Sequence, residues 1–125
     1  MAIIEGIKRG TIELLILTLL QDQDMYGYQL SQELELRSNK RYTLQESSLY
    51  PTLYRLVDKK LISDYTEKVG RRRTRVYYHI EDAGLQYLEV IRKEYLSMCR
   101  GIFDILQITD IEMLGGQNDG ESTGD

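Results

Sequence analysis

The side chains best suited to hold something charged fall in two clusters. Across Ser47-Ser48-Leu49-Tyr50-Pro51-Thr52-Leu53-Tyr54-Arg55-Leu56, hydroxyl and guanidinium groups recur at helical spacing. Further on, Gly70-Arg71-Arg72-Arg73-Thr74-Arg75 reads as the basic tip of a hairpin. Short polar residues at a helix start favour a phosphate, because free backbone donors and the helix dipole both point there. An arginine on such a helix can donate bidentately to a guanine edge or pair with a phosphate. A helix that can enter a major groove, beside a loop that can reach flanking phosphates or the minor groove, is chemistry for double-stranded DNA.

Each of these residues also has a plainer reading. Arg55 could instead pair with Asp58 on the next turn. Tyr54 offers its hydroxyl to a phosphate oxygen, whereas Tyr50 lies nearer the core side and could be structural. Ser47 and Ser48 open the helix. Lys8, Arg9, Lys40 and Arg41 read first as solvated surface. No catalytic constellation accompanies them. His79 is the only histidine and has no Cys, Asp or Glu at ligand spacing, so no metal site is expected. Cys99 reads as a small packing residue, with a redox-sensing thiol as the alternative. With no Gly-rich phosphate loop and no nucleophile–base pair, neither an enzyme nor a cofactor is expected.

The elements that must position these groups follow from hydrophobic periodicity. From Gly10 to about Gln21 the chain is apolar on nearly all sides, so that helix needs two partners, the domain core and a second subunit. A second helix opens near Gly27 with Tyr28, Leu30, Leu34 and Leu36 inward. In the third, roughly 46–59, Leu49, Leu53, Leu56 and Val57 share one face, while Ser47, Ser48, Pro51, Tyr54, Arg55 and Asp58 lie opposite. Two strands, 61–69 and 73–80, flank Gly70, with Val76, Tyr78 and Ile80 in one row and Arg75, Tyr77 and His79 in the other. A last helix runs from 81 or 82 to about 107. Its Leu88, Ile91, Tyr95, Met98, Ile102 and Ile105 form a heptad stripe suited to dimerisation. The reading is thus mainly α (α+β): a winged helix-turn-helix domain over 1–80, a dimerisation helix over 81–107, and an acidic tail over 115–125 that is expected to be disordered.

Charge distribution reconciles an acidic protein with an anionic partner. The 125 residues carry a net charge of −4. Residues 1–54 hold 5 basic and 7 acidic side chains, and residues 81–125 hold 3 and 10. Between them, residues 55–80 hold 8 basic and 3 acidic, a local balance of +5 where phosphates would lie. The longest apolar run, residues 14–20, is too short to cross a bilayer, so no membrane partner is expected. No secretory leader is expected either, and a single cysteine fits a reducing cytoplasm.

Four segments in this order, RGTIELLIL at 9–17, YGYQL at 26–30, SLYPTLYRL at 48–56 and GRRRTRVYYHIEDAG at 70–84, resemble the PadR family of bacterial transcriptional regulators. The resemblance covers roughly 9–106. It implies a homodimeric winged helix-turn-helix repressor that leaves a two-fold palindromic operator when a small effector binds. Ser48, Tyr50, Tyr54 and Arg55 would then lie at or near DNA, and Arg71 to Arg75 would form the wing. The first and last helices would build the dimer. Tyr95 aligns with an aromatic that lines an effector pocket in the multidrug-sensing branch, where Trp is usual. Two further departures are Lys60, where Gly is common, and Gln45, a poor N-cap. The competing expectation is a winged-helix protein-interaction module without DNA affinity.

Overall fold

The computed structural model describes Lys8 and residues 10–109; the acidic stretch 115–125 lies outside the described residues. The order of elements is α1 (Ile12–Asp22), β1 (Met25–Tyr26), α2 (Gly27–Arg37), α3 (Glu46–Asp58), β2 (Ile62–Lys68), β3 (Thr74–Ile80) and α4 (Asp82–Leu106). The chain divides into two compact units within α4, between Ile91 and Arg92.

In the first unit, α1 supplies the centre of the core. Leu14, Ile16, Leu17, Leu19 and Leu20 are all buried within the single chain, with Leu15 half-buried. α2 buries Gly27, Leu30 and Leu34, whereas Tyr28 and Leu36 face outward, contrary to their expected inward setting. Residues 27, 30 and 34 share one helical stripe; Tyr28 is one residue, about 100°, off that stripe. α3 buries Leu49, Leu53 and Leu56 as the periodicity requires, and Thr52 with them. Thr52 is tolerated there because its hydroxyl donates to the Ser48 carbonyl at 3.0 Å.

The ends of α3 show how closely local chemistry sets the frame. Gln45 caps the helix without a side-chain hydrogen bond. At the other end Lys60 takes a left-handed φ of 64°. The Leu61 amide then bonds the Leu56 carbonyl at 3.0 Å, and the Lys60 amide bonds Val57 at 2.9 Å, the paired bonds of a Schellman ending. The chain therefore turns directly from α3 into β2.

The sheet has strand order β1-β3-β2, all antiparallel. The hairpin keeps the expected strands, pairing Ile62 with Ile80, Tyr65 with Tyr77 and Lys68 with Thr74. β1 was not expected; its two residues pair Met25 with Tyr78 and Tyr26 with Tyr77. Tyr78 and Ile80 are buried, but Val76 on the same row is exposed, because the hairpin extends beyond the helices that cover its base.

α4 starts against this hairpin through Gly84. A Cβ at Gly84 would fall on the Leu61 carbonyl oxygen and 2.8 Å from Ile80 Cγ1. A backbone oxygen cannot rotate away. Gly84→Ala would gain about 0.5–1 kcal/mol of helix propensity. The overpacking it causes costs about 1–3 kcal/mol, so the variant should melt several degrees lower. Unfolding followed by circular dichroism checks this; an unchanged or raised melting temperature would rule out the close contact.

Candidate nucleic-acid interface

The outward side of α3 carries the groups singled out from the sequence. Ser47, Pro51, Tyr54, Arg55 and Asp58 are exposed and Ser48 is half-buried. Tyr54 stands clear, 62% accessible. Tyr50 is held differently. Its ring lies against Gly27 at the start of α2, where a Cβ on residue 27 would meet the phenol oxygen and come within 3.0 Å of the ring edge. Burial pushes the Tyr50 hydroxyl pKa up. Tyr50 is thus a wedge between two helices as well as a neighbour of Tyr54, whose ring is 6.2 Å away.

Arg55 turns back toward α1 rather than to Asp58. Its Nε lies 3.8 Å from Glu13 Oε2, and its Nη2 donates to the Thr52 hydroxyl at 3.3 Å. Glu13 also draws Lys59 Nζ to 3.5 Å and accepts from the Tyr87 hydroxyl at 3.2 Å. This carboxylate therefore gathers α1, α3 and the start of α4. An exposed ion pair of this kind is worth at most about 1 kcal/mol, so it pre-positions Arg55 without committing it.

The wing presents unopposed positive charge. Gly70 turns the hairpin at φ 129°, and Arg71, Arg72 and Arg73 around it are exposed. Among the described residues, none of Arg71, Arg72, Arg73 and Arg75 forms an ion pair with a carboxylate, although Glu67 is the cross-strand partner of Arg75. Arg75 instead lies 4.2 Å over the Tyr26 ring. Tyr26 meets Tyr77 edge-on at 5.5 Å, and Tyr77 stacks on Tyr65 at 5.7 Å. The outer row of the sheet is an aromatic column that stiffens the root of the wing.

At the far end of that column lies a contact the spacing concealed. Asp24, just before β1, accepts from the Tyr65 hydroxyl at 2.7 Å and lies 2.8 Å from His79 Nδ1. It bridges strands 41 and 55 positions away and ties β1, hence the start of α2, to the hairpin. The hydrogen bond to Asp24 raises the His79 pKa, outweighing the opposing effect of burial. Burial alone would lift the Asp24 carboxyl, but the bonds from Tyr65 and His79 bring it below its ordinary value. The same bond pushes the Tyr65 hydroxyl up to about 12. No cluster of metal-ligating residues occurs among the described residues.

On α4, Leu88 is buried, Ile91 and Tyr95 are half-buried, and Met98, Ile102 and Ile105 are exposed, with Ile105 81% accessible. Val90, Leu96 and Leu106 add further exposed apolar surface on the same helix.

The sequence profile of the transcriptional regulator PadR-like family matches residues 16–90. An uncharacterized protein X of Lysinibacillus sphaericus is 34% identical over 109 residues, covering 87% of this chain and 94% of that protein. A PadR family transcriptional regulator from Eggerthella lenta superposes with a TM-score of 0.74 at 26% identity, covering 86% of this chain and 92% of the other. Bacillus subtilis PadR, solved in complex with operator DNA, gives a TM-score of 0.60 at 26% identity. That match spans 66% of this chain and 46% of that one.

The Asp24–His79 contact has a defined pH window. His79 has a folded pKa raised above 6.5, so its share of stability is complete below 6.5 and is lost as pH climbs through the raised value. Asp24 has a folded pKa lowered below 3.8, so its share is present above 3.8 and is lost as pH falls through the lowered value. The stability gap between the wild type and His79→Gln should therefore be widest between the ordinary values of the two groups, 3.8 and 6.5, and shrink as pH climbs through the raised His79 value. Denaturant melts across that range measure it; a gap that widens toward alkaline pH would refute the assignment.

Proposed function

The chain belongs to the transcriptional regulator PadR-like family, and from that premise we propose that it is a homodimeric repressor that reads a palindromic operator. α3 lies in the major groove, presenting Ser47, Ser48, Tyr54 and Arg55, with Tyr50 at the edge. The wing, Arg71 to Arg75, reaches flanking phosphates or the minor groove. The observation that carries this reading is the wing's positive charge, with which no described carboxylate forms an ion pair, placed beside Tyr50 and Tyr54 of α3. The operator complex of the Bacillus subtilis relative supports it. An acidic protein can bind this way because steering depends on the local field rather than on net charge.

Fluorescence anisotropy on genomic fragments retained by the purified protein tests the DNA contact. Replacing Arg71, Arg72 and Arg73 with Ala should weaken binding to all sequences alike. The slope of log affinity against log salt should drop by about 0.9 for each arginine that contacts phosphate. Unaltered affinity and slope would remove the wing from the interface.

The exposed apolar residues of α4 support the dimer. Sedimentation equilibrium should give twice the chain's mass for the wild type and a monomer for Ile102→Glu/Ile105→Glu, with loss of tight operator binding. Tyr95→Ala should keep the dimer but no longer release DNA when a planar aromatic effector is added. A monomeric wild type, or effector release that survives Tyr95→Ala, would count against the respective assignment.

A further inference from the structure

Between the start of α2, the outer edge of α3 and the root of the wing lies a cleft of about 570 Å³. Tyr28, Tyr50, Tyr54 and Tyr78 line it, together with Arg73 and Arg75, and no carboxylate is among its walls. Three features make it an anion site rather than a gap in packing. First, it is bordered by Gly27 and Tyr28, the opening residues of α2. That helix has no side-chain cap and no acidic residue in its first turn, so its backbone donors and the positive end of its dipole lack a side-chain partner. Second, two guanidinium groups enter from the wing.

The third feature is Tyr78. It is only 3% accessible, and its hydroxyl has no hydrogen-bond partner among the described residues. Burial pushes its pKa up to about 12, with Tyr54 and Tyr50 nearby adding to the shift, so the hydroxyl keeps its proton as a donor. Buried donors in native proteins are almost always satisfied. The charged groups in the cleft wall are both guanidiniums; Asp64, the cross-strand partner of Tyr78, adds to its shift but is not among the walls. An oxygen that enters the cleft to accept from Tyr78 therefore meets two positive charges, which favours an anionic one.

The geometry points to a seat for one phosphodiester of the DNA backbone, held by the first-turn amides of α2, the Tyr78 hydroxyl and Arg73 or Arg75. This rests on the DNA-binding reading above and deepens it, adding Tyr28 and Tyr78, which the helix-and-wing scheme leaves aside. A duplex lying across α3 and the wing would pass the mouth of the cleft, which is why the phosphate is assigned to DNA rather than to a free anion.

The test uses the full chain and a mixed-sequence duplex of about 30 base pairs at about 50 mM salt, because a backbone contact is sequence-independent. Tyr78→Phe keeps the ring and removes only an unpartnered hydroxyl, so its melting temperature should be equal or higher. Its affinity for the duplex should nevertheless fall about five- to tenfold. The salt slope should stay unchanged, since no charge is lost. In the wild type, ¹⁵N amide signals of Gly27 and Tyr28 should shift on adding the duplex. Wild-type duplex binding with unmoved Gly27 and Tyr28 amides, or equal affinity of the Phe variant, would overturn the seat and leave the DNA-binding reading standing. If inorganic phosphate alone shifts those amides and the duplex does not, the site belongs to a free anion and the assignment fails. A wild type that binds no duplex would overturn the DNA-binding reading and the seat with it.

Discussion

The contact on which the interface depends is the close approach of Tyr50 to Gly27. A phenol ring occupies the volume that any side chain at residue 27 would need. This lets the start of α2 lie directly against α3, so the two helices meet at one fixed edge. It also removes Tyr50 from the outward face and leaves Tyr54 and Arg55 to project from it. The same tyrosine walls the cleft beside the wing, together with Gly27, Tyr28, Arg73 and Arg75. A side chain at residue 27 would drive the ring into the cleft and separate the helices at once.

The other elements hold that edge relative to the wing. β1 is only two residues long, yet it pairs with the central strand and leads straight into α2. Asp24 secures it by bonding Tyr65 and His79 on both hairpin strands. The aromatic column from Tyr26 through Tyr77 to Tyr65 stiffens the same junction, with Arg75 laid over its end. The start of α2 and the hairpin are consequently tied together at several points.

Electrostatics divides the surface in a comparable way. Glu13 collects Arg55, Lys59 and Tyr87, so the α1 carboxylate that faces α3 is already engaged at its base. The wing arginines have no such partner among the described residues, and their field is left to act outward. A weak pair at Arg55 and none at the wing is an arrangement that costs little to exchange for contacts with an anionic polymer.

Much of this was readable in the amino-acid order. Helix faces follow from a period of 3.6, so Leu49, Leu53 and Leu56 declared themselves as core and Tyr54 and Arg55 as surface. The hairpin followed from alternation around Gly70, and the +5 segment from counting charges. Those are local properties, carried by neighbours along the chain. What only the tertiary structure decided depends on residues distant in sequence. A two-residue strand has too few positions to show alternation. The Asp24 contacts span 41 and 55 positions, and Arg55 chose Glu13 over the nearer Asp58. The tyrosine-lined cleft combines residues from three separate segments, and no periodicity within one segment can signal a surface made only when all three meet.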